Sequence, residues 1–395
     1  MRSRNSSQVV LPEDWQNGGF GLYIHWPFCM AKCPYCDFNS HVAKSIDQER
    51  WAKAYVKEIN RIGAETKDKV LRSVFFGGGT PSLMSPETVA TVLDAVRATW
   101  RTENDVEITL EANPTSVEAG RFRGYAQAGV NRLSMGIQAL NDTDLRALGR
   151  MHSAEEALRA FDIARTHFNR VSFDLIYGRQ NQSVSDWEVE LRQALSLAVD
   201  HLSLYQLTIE DGTAFGDRYR LGKLRGLPDE DRAADLWDVT QSICNDLGFP
   251  AYEVSNHAKH GHESRHNKVY WQYGDYAGIG PGAHGRLTLD GRRFTTEAPK
   301  APGAWLELVE ADRPGEYARE ALSVDDQATE FLLMGLRLTS GINRTRLSAM
   351  VGDKYDGNIQ SLVDAGLLFA DDLNIKATEA GRPLLNGLLR ELLRD

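Results

Sequence analysis

Cys29, Cys33 and Cys36 stand within eight residues in the spacing C-x3-C-x2-C. Thiolates held this close can wrap one inorganic cluster. A closed four-iron cluster takes four cysteines. Three therefore leave one iron open to a ligand that is not protein. The alternatives are a disulfide with a spare thiol, or a zinc site. Zinc sites usually pair two C-x2-C knuckles or add histidines at set spacing, and the sequence has no second knuckle. The fourth cysteine, Cys244, lies in an apolar helical pattern with Leu236, Val239, Ile243 and Leu247 and reads as a packed core thiol.

Something must hold those cysteines in place. The run Gly21–Phe28 reads as a strand, which puts them on the loop that follows it. Apolar runs of β type recur at Leu22–Phe28, Val70–Phe76, Val106–Leu110, Arg132–Ile137, Val171–Tyr177 and Leu202–Ile209. Amphipathic stretches separate them at Asp47–Gly63, Ser85–Thr99, Val117–Ala128, Ser153–Phe168 and Ser185–Leu197. That alternation predicts a parallel sheet with crossover helices. Six units make three quarters of a (β/α)8 barrel, so an incomplete, laterally open barrel is expected.

In parallel α/β folds, functional groups gather where strands end. After the first strand come the cysteines, and after the second Gly77-Gly78-Gly79-Thr80-Pro81, whose missing Cβ atoms let backbone approach a ligand closely. After the third comes Glu111-Ala-Asn-Pro114, either a carboxylate for a cationic or hydroxyl group or a helix-cap network around Asn113 and Ser116. The fourth ends in Gly136-Ile-Gln138. The fifth carries Asp174 inside an apolar run, where a carboxylate needs partners. The sixth ends near Gln206 and Thr208. Polar groups at every strand end, beside three cysteines, make a pocket.

With 395 residues, 42% of them hydrophobic, the chain can bury a large core divided among two or three domains. A net charge of -10 argues against a nucleic-acid surface. No apolar run approaches the roughly 18 residues of a membrane span. Met1–Asn17 is polar, without the apolar core of a signal peptide. A cytosolic protein with reduced thiols is expected.

The cysteine spacing, the Gly-Gly-Gly-Thr-Pro loop and the six β/α units resemble the radical S-adenosylmethionine (SAM) superfamily. In that family the three cysteines hold a [4Fe-4S] cluster, and the amino and carboxylate groups of SAM ligate the open iron. The motifs Tyr23-Ile-His-Trp-Pro-Phe-Cys29, Gly149-Arg-Met-His-Ser153 and Phe173-Asp-Leu-Ile-Tyr-Gly178 are more narrowly similar to the oxygen-independent coproporphyrinogen oxidase group. The resemblance implies that Tyr23 lies by the cluster and SAM, and that Tyr35 packs on adenine. It places Gly78, Gly79 and Thr80 along the methionine end. It gives Glu111 and Arg150 the charged or polar parts of SAM, with Arg150 on its carboxylate. Gln138 and Asp174 go to the ribose or nearby atoms, and Thr208 borders the adenosine.

The group has two branches. The oxidases carry a fourth cysteine two residues after the third, where this chain has Phe38. They also have a longer N-terminal arm. Instead, His266-Asn267-Lys-Val-Tyr270-Trp271 matches the H-N-x-x-Y-W signature of heme chaperones of the HemW type, as does the run Gly278–His284. The resemblance implies a protein that binds heme, a [4Fe-4S] cluster and SAM, and that transfers heme to acceptor proteins. Its alternative is oxidative decarboxylation of coproporphyrinogen III. The implied partners are heme and heme-accepting proteins, respiratory enzymes among them. A transient contact with a membrane complex and a homodimer are compatible with it. His257, His260, His262 and His266 fall within ten residues among aromatics. Imidazole is a common heme ligand, and His266, inside the signature, is the candidate. The other three read as members of a polar surface loop.

After Leu306 the strand–helix rhythm stops. Helical patterns at Asp326–Leu338, Arg344–Met350, Asn358–Ala365 and Leu384–Leu393 surround a two-stranded wing turning at Asp371-Asp372. A small α+β winged-helix-like module is expected. Acidic residues outnumber basic ones eleven to eight over 325–395, so no basic face opposes phosphates. A packing or docking role is expected instead of DNA binding. The expected organisation is a flexible segment over 1–19, a radical SAM partial barrel over 20–225, an extension with the H-N-x-x-Y-W segment over 226–310, and the winged-helix-like domain over 311–395.

Overall fold

The computed structural model describes residues 14–394. Six strands, β1 (Phe20–Trp26), β2 (Val70–Gly78), β3 (Arg101–Ala112), β4 (Arg132–Gln138), β5 (Arg170–Tyr177) and β6 (His201–Gln206), pair in sequence order, all parallel. Helices α1 (Gln48–Thr66), α2 (Pro86–Thr99), α3 (Phe122–Ala128), α4 (Ala154–His167) and α5 (Val184–Leu197) connect them. The sequence marks their starts. Asp47, Ser85, Ser153 and Ser183 each accept a hydrogen bond from the backbone N–H three residues on, which satisfies an otherwise orphaned donor.

The sheet continues beyond the six units. Strand β7 (Asn256–Ala258) pairs antiparallel with β6 at one edge. On the other side, β8 (Asp275–Ile279) lies parallel to β1, followed by β9 (His284–Leu289), β10 (Arg292–Glu297) and β11 (Glu320–Ala321), all antiparallel. The eleven strands form one open sheet whose edge strands β7 and β11 do not pair. The incomplete (β/α)6 barrel is therefore the observed architecture, with strands from segment 256–321 widening its sheet at both edges. Two differences from the sequence reading are local. The stretch Val117–Ala128 is broken at Gly120-Arg121 into a short turn of helix and α3. The sixth strand stops at Gln206, so Thr208 lies on the loop beyond it.

Residues 1–13 of the expected flexible segment lie outside the described residues. Asp14–Asn17 forms a 3-10 turn, and Trp15 packs against the core under the Lys69 ammonium, 3.5 Å from the ring centroid. The main core fills the space between sheet and helices. At one end Trp51 and Trp305 stack at 5.5 Å, joining α1 to the later helix Pro302–Glu310. Cys244 is buried within helix Glu230–Asp246, where burial pushes its thiol up to about 12.

The C-terminal module has its own core of Phe331, Leu332, Leu347, Ile359, Ile375, Leu388 and their neighbours. Helices Val324–Gly335, Arg344–Val351 and Asp356–Asp364 precede the wing strands Leu368–Ala370 and Asn374–Ala377, and helix Leu385–Leu392 closes it. A third strand, Ile342–Asn343, pairs with the second wing strand. Two residues are too few to leave a periodic signal. The module is tied to the barrel by Arg346, which donates to both Asp14 oxygens at 2.8 and 2.9 Å. Glu330 adds a second tie, accepting from Arg286 at 2.8 Å and from the Tyr273 hydroxyl at 3.0 Å.

Candidate functional site

Because side chains alternate along a strand, every second residue of β3–β6 faces the lumen, and here those residues are polar. Buried Arg132 donates to Ser172 at 2.9 Å and to Thr109 at 3.5 Å. Ser172 donates to Ser134 at 3.1 Å, and Ser134 reaches Asp174 at 3.5 Å. The lumen is a hydrogen-bonded layer, not an apolar plug.

Above that layer the strand ends converge on the cysteine loop. Thr80 Oγ1 donates to Cys29 Sγ at 3.3 Å, and Asn113 Nδ2 donates to the same Thr80 oxygen at 3.2 Å. Asn113 Oδ1 accepts from Arg150 Nη2 at 2.7 Å, and Gly136 O accepts from the same nitrogen at 2.9 Å. Arg150 Nη1 then donates to Cys33 Sγ at 3.3 Å. One chain of bonds thus links the ends of β1, β2, β3 and β4 to two of the three sulfurs. Asn113 is its hub. The alternative sequence reading, a helix-cap network around Asn113 and Ser116, is not what forms: Thr115 is the cap.

All three cysteines are free thiols. Among the described residues, no three His, Cys, Asp or Glu side chains converge on a point where a single metal ion could sit. Three thiols in the spacing C-x3-C-x2-C, without a second C-x2-C knuckle beside them, are a donor set of the kind that holds an iron–sulfur cluster rather than a zinc ion. Burial holds the Cys29 and Cys36 thiols above their ordinary value, with the Thr80 hydroxyl opposing this at Cys29.

The other predicted residues fall around this loop. Tyr35 packs on Phe215, and its hydroxyl adjoins Arg150 and Cys33. Gly78 has φ +109°, and a Cβ there would meet the His25 ring at 2.6 Å. At Gly79 a Cβ would meet the Phe28 carbonyl oxygen at 2.7 Å, so only glycine lets these backbones pass. Glu111 accepts from the Gly78 backbone N–H. Burial, then the nearby Asp174, raise its carboxyl to about 8. Burial raises Asp174 to about 6 against the Ser203 hydrogen bond. Gln138 has φ +75°, and its buried Oε1 has no partner. A strained residue with an orphaned acceptor is where a ligand's donor would be expected. Thr208 is exposed, and nothing in the network reaches it.

A cavity of about 770 Å³ opens beside the loop, lined in part by Tyr23, Gly78, Glu111, Tyr270 and Tyr276. Tyr23 reaches His25 Nδ1 at 3.0 Å, and His25 Nε2 lies 2.9 Å from Asn39 O. A carbonyl only accepts, so in the neutral ring Nε2 carries the proton and the Tyr23 hydroxyl donates to Nδ1. Burial lowers the His25 pKa, which favours that neutral ring.

His266 lies behind the cavity wall, 1% exposed. Its Nδ1 bonds Ser73 Oγ at 2.8 Å, its Nε2 bonds the Tyr270 hydroxyl at 2.7 Å, and its ring stacks on Phe75 at 4.9 Å. Neither ring nitrogen is open to a ligand, because each lone pair or proton already serves the protein. Burial pushes its pKa down to about 3. An axial role would require Nε2 to leave Tyr270. His257 is also not on a surface loop: it is buried in β7, bonded to Phe249 O at 3.2 Å, and pushed down to about 4.

The radical SAM superfamily model matches residues 23–194, and the HemN C-terminal domain model matches residues 322–384. The heme chaperone HemW of Escherichia coli (strain K12) is 37% identical over 382 residues, covering 95% of this chain and 98% of that protein. The chain belongs to the HemW family of radical SAM proteins. HemW of Haemophilus influenzae is 39% identical over 391 residues, covering 95% and 98% of the two chains. The mitochondrial radical S-adenosyl methionine domain-containing protein 1 of Bos taurus is 39% identical over 384 residues, covering 94% and 87%. The fold itself is that of E. coli coproporphyrinogen III oxidase, HemN, with a TM-score of 0.80 at 20% identity, covering 96% and 92%. No helix of the described chain is long and apolar enough to cross a membrane.

Proposed function

We propose that this HemW-family chain is a heme chaperone that holds heme beside a SAM-liganded [4Fe-4S] cluster and passes it to acceptor proteins. The observation that carries the reading is the position of Phe38. It is 58% exposed on the cavity wall, two residues past the last cysteine, where it offers an aromatic face and no thiol. The kinship with heme chaperones over nearly the whole chain supports it.

In this reading Cys29, Cys33 and Cys36 hold the cluster, with Thr80 and Arg150 donating to two of its sulfur ligands. A bound cluster with SAM supplies one-electron chemistry, and the residues around it supply position and exclusion of water. Arg150, fixed by Asn113 and Gly136, presents a rigid cation suited to a carboxylate. Gln138 and Asp174 offer acceptors for ribose hydroxyls, Glu111 a protonated carboxyl, and Tyr35 a ring for adenine. Gly78, Gly79 and Thr80 let the methionine end approach backbone. Tyr23, oriented by His25, faces the cavity between the two ligands. Thr208 reaches the adenosine only if its loop folds inward. His266 serves by orienting Tyr270.

The test uses reconstituted protein. Stoichiometric heme uptake, followed by transfer to an apo-hemoprotein and without consumption of coproporphyrinogen III, is the expected result. Turnover of coproporphyrinogen III with SAM and a reductant would establish the oxidase reading instead.

A further inference from the structure

The cavity wall made by the cysteine loop and the start of β9 carries groups that the SAM reading leaves unused. Four histidines stand at or near this cavity, and three are engaged. His25 and His266 use both ring nitrogens, and His41 Nε2 bonds Asn39 Oδ1 at 3.2 Å. His284, the first residue of β9, is exposed into the cavity, and its ring makes no hydrogen bond among the described residues. Lys32 and Lys300 line the same wall, exposed and without a carboxylate partner among the described residues. Phe38 is on the same lining. The acidic groups on this lining are Asp37 and Glu111, and burial keeps the second protonated up to about 8. A free imidazole, two free ammonium groups and an open aromatic face match a metal-centred, planar macrocycle bearing carboxylates. The volume of about 770 Å³ falls within the range of about 300–1,000 Å³ usual for small-molecule sites.

We infer that His284 is the protein's axial ligand to heme iron at this wall, with Lys32 and Lys300 pairing the heme carboxylates and Phe38 packing on the ring. The assignment rests on the heme-chaperone reading and adds to it the ligand, which the H-N-x-x-Y-W histidine does not supply in this conformation.

Ferric heme is titrated into cluster-loaded wild type, His284→Ala and Lys300→Glu, followed by the Soret band and the iron's electron paramagnetic resonance. Wild type is expected to bind with a nitrogen-ligand signature. His284→Ala is expected to lose that signature and to bind at least about tenfold more weakly. Added imidazole should restore the signature. Lys300→Glu should weaken heme severalfold but leave heme dimethyl ester, which lacks free carboxylates, unchanged. Cluster absorption and far-UV circular dichroism report folding, and His284→Gln serves if the alanine variant does not fold. A wild type that takes up no heme overturns the chaperone reading itself. A wild type that binds heme while both His284 variants keep its affinity and iron signature overturns only the ligand assignment.

Discussion

Arg150 Nη1 donates to Cys33 Sγ at 3.3 Å while the guanidinium's other terminal nitrogen is held by Asn113 Oδ1 at 2.7 Å. The cation is therefore fixed before any ligand arrives. Hydrogen bonds and charge at cluster sulfurs set reduction potential, and lysine cannot reproduce a planar fork. Arg150→Lys is expected to assemble a cluster whose potential is more negative than wild type and whose affinity for SAM is reduced about tenfold. Potentiometry and equilibrium binding check this. An unchanged potential would detach Arg150 from the cluster.

Cys33 lies on a loop outside the main core. Cys33→Ala should lose the broad visible absorption of the reconstituted cluster and keep the wild-type far-UV circular dichroism. Full cluster assembly by this variant would refute the ligand set.

Glu111 should leave a signature in stability. Its folded pKa is about 8 against an ordinary 4.5, so between those values the folded chain binds a proton that the unfolded chain has released. Stability of the metal-free protein should therefore fall as pH rises from about 4.5 to about 8, and Glu111→Gln should flatten that slope. Asp174, raised to about 6, adds to the lower part of the window. Urea unfolding at pH 5, 6, 7 and 8 makes the comparison. Equal slopes would show that water reaches the carboxyl.

His266→Ala removes a buried ring and leaves Ser73 and Tyr270 without their partner. The expected loss is about 2–3 kcal/mol of stability, read from denaturant midpoints. Heme affinity of the folded fraction should change less than in His284→Ala.

The six strands could be read from the sequence because each apolar run is bounded by an amphipathic stretch with a marked start. Strands β8 to β11 could not. β11 has two residues, β9 and β10 carry charged and polar residues among few apolar ones, and Asp275 on β8 looks polar, yet it is fully buried against Lys69 at 2.9 Å and Arg293 at 3.4 Å. At the site, motifs pointed to candidate residues, but not to the partners each side chain takes. Asn113 and His284 were visible only as members of their motifs, and the links of Asn113 to Thr80 and Arg150 needed the fold. His266 shows the same limit. A histidine inside a signature among aromatics looks available, and only its partners reveal that both nitrogens are taken.

The Glu330 tie has a mechanical consequence. Its two oxygens grip Arg286 on β9 and Tyr273 just before β8, and Arg286 stands two residues from His284. Helix Val324–Gly335 is thus a lever whose short arm ends at the cavity wall. A pull or twist on the C-terminal module would reach the strand that bears His284 through these bonds, without passing through the cysteine loop. In the heme-chaperone reading, the grip on heme would then be addressable from outside the barrel separately from the cluster.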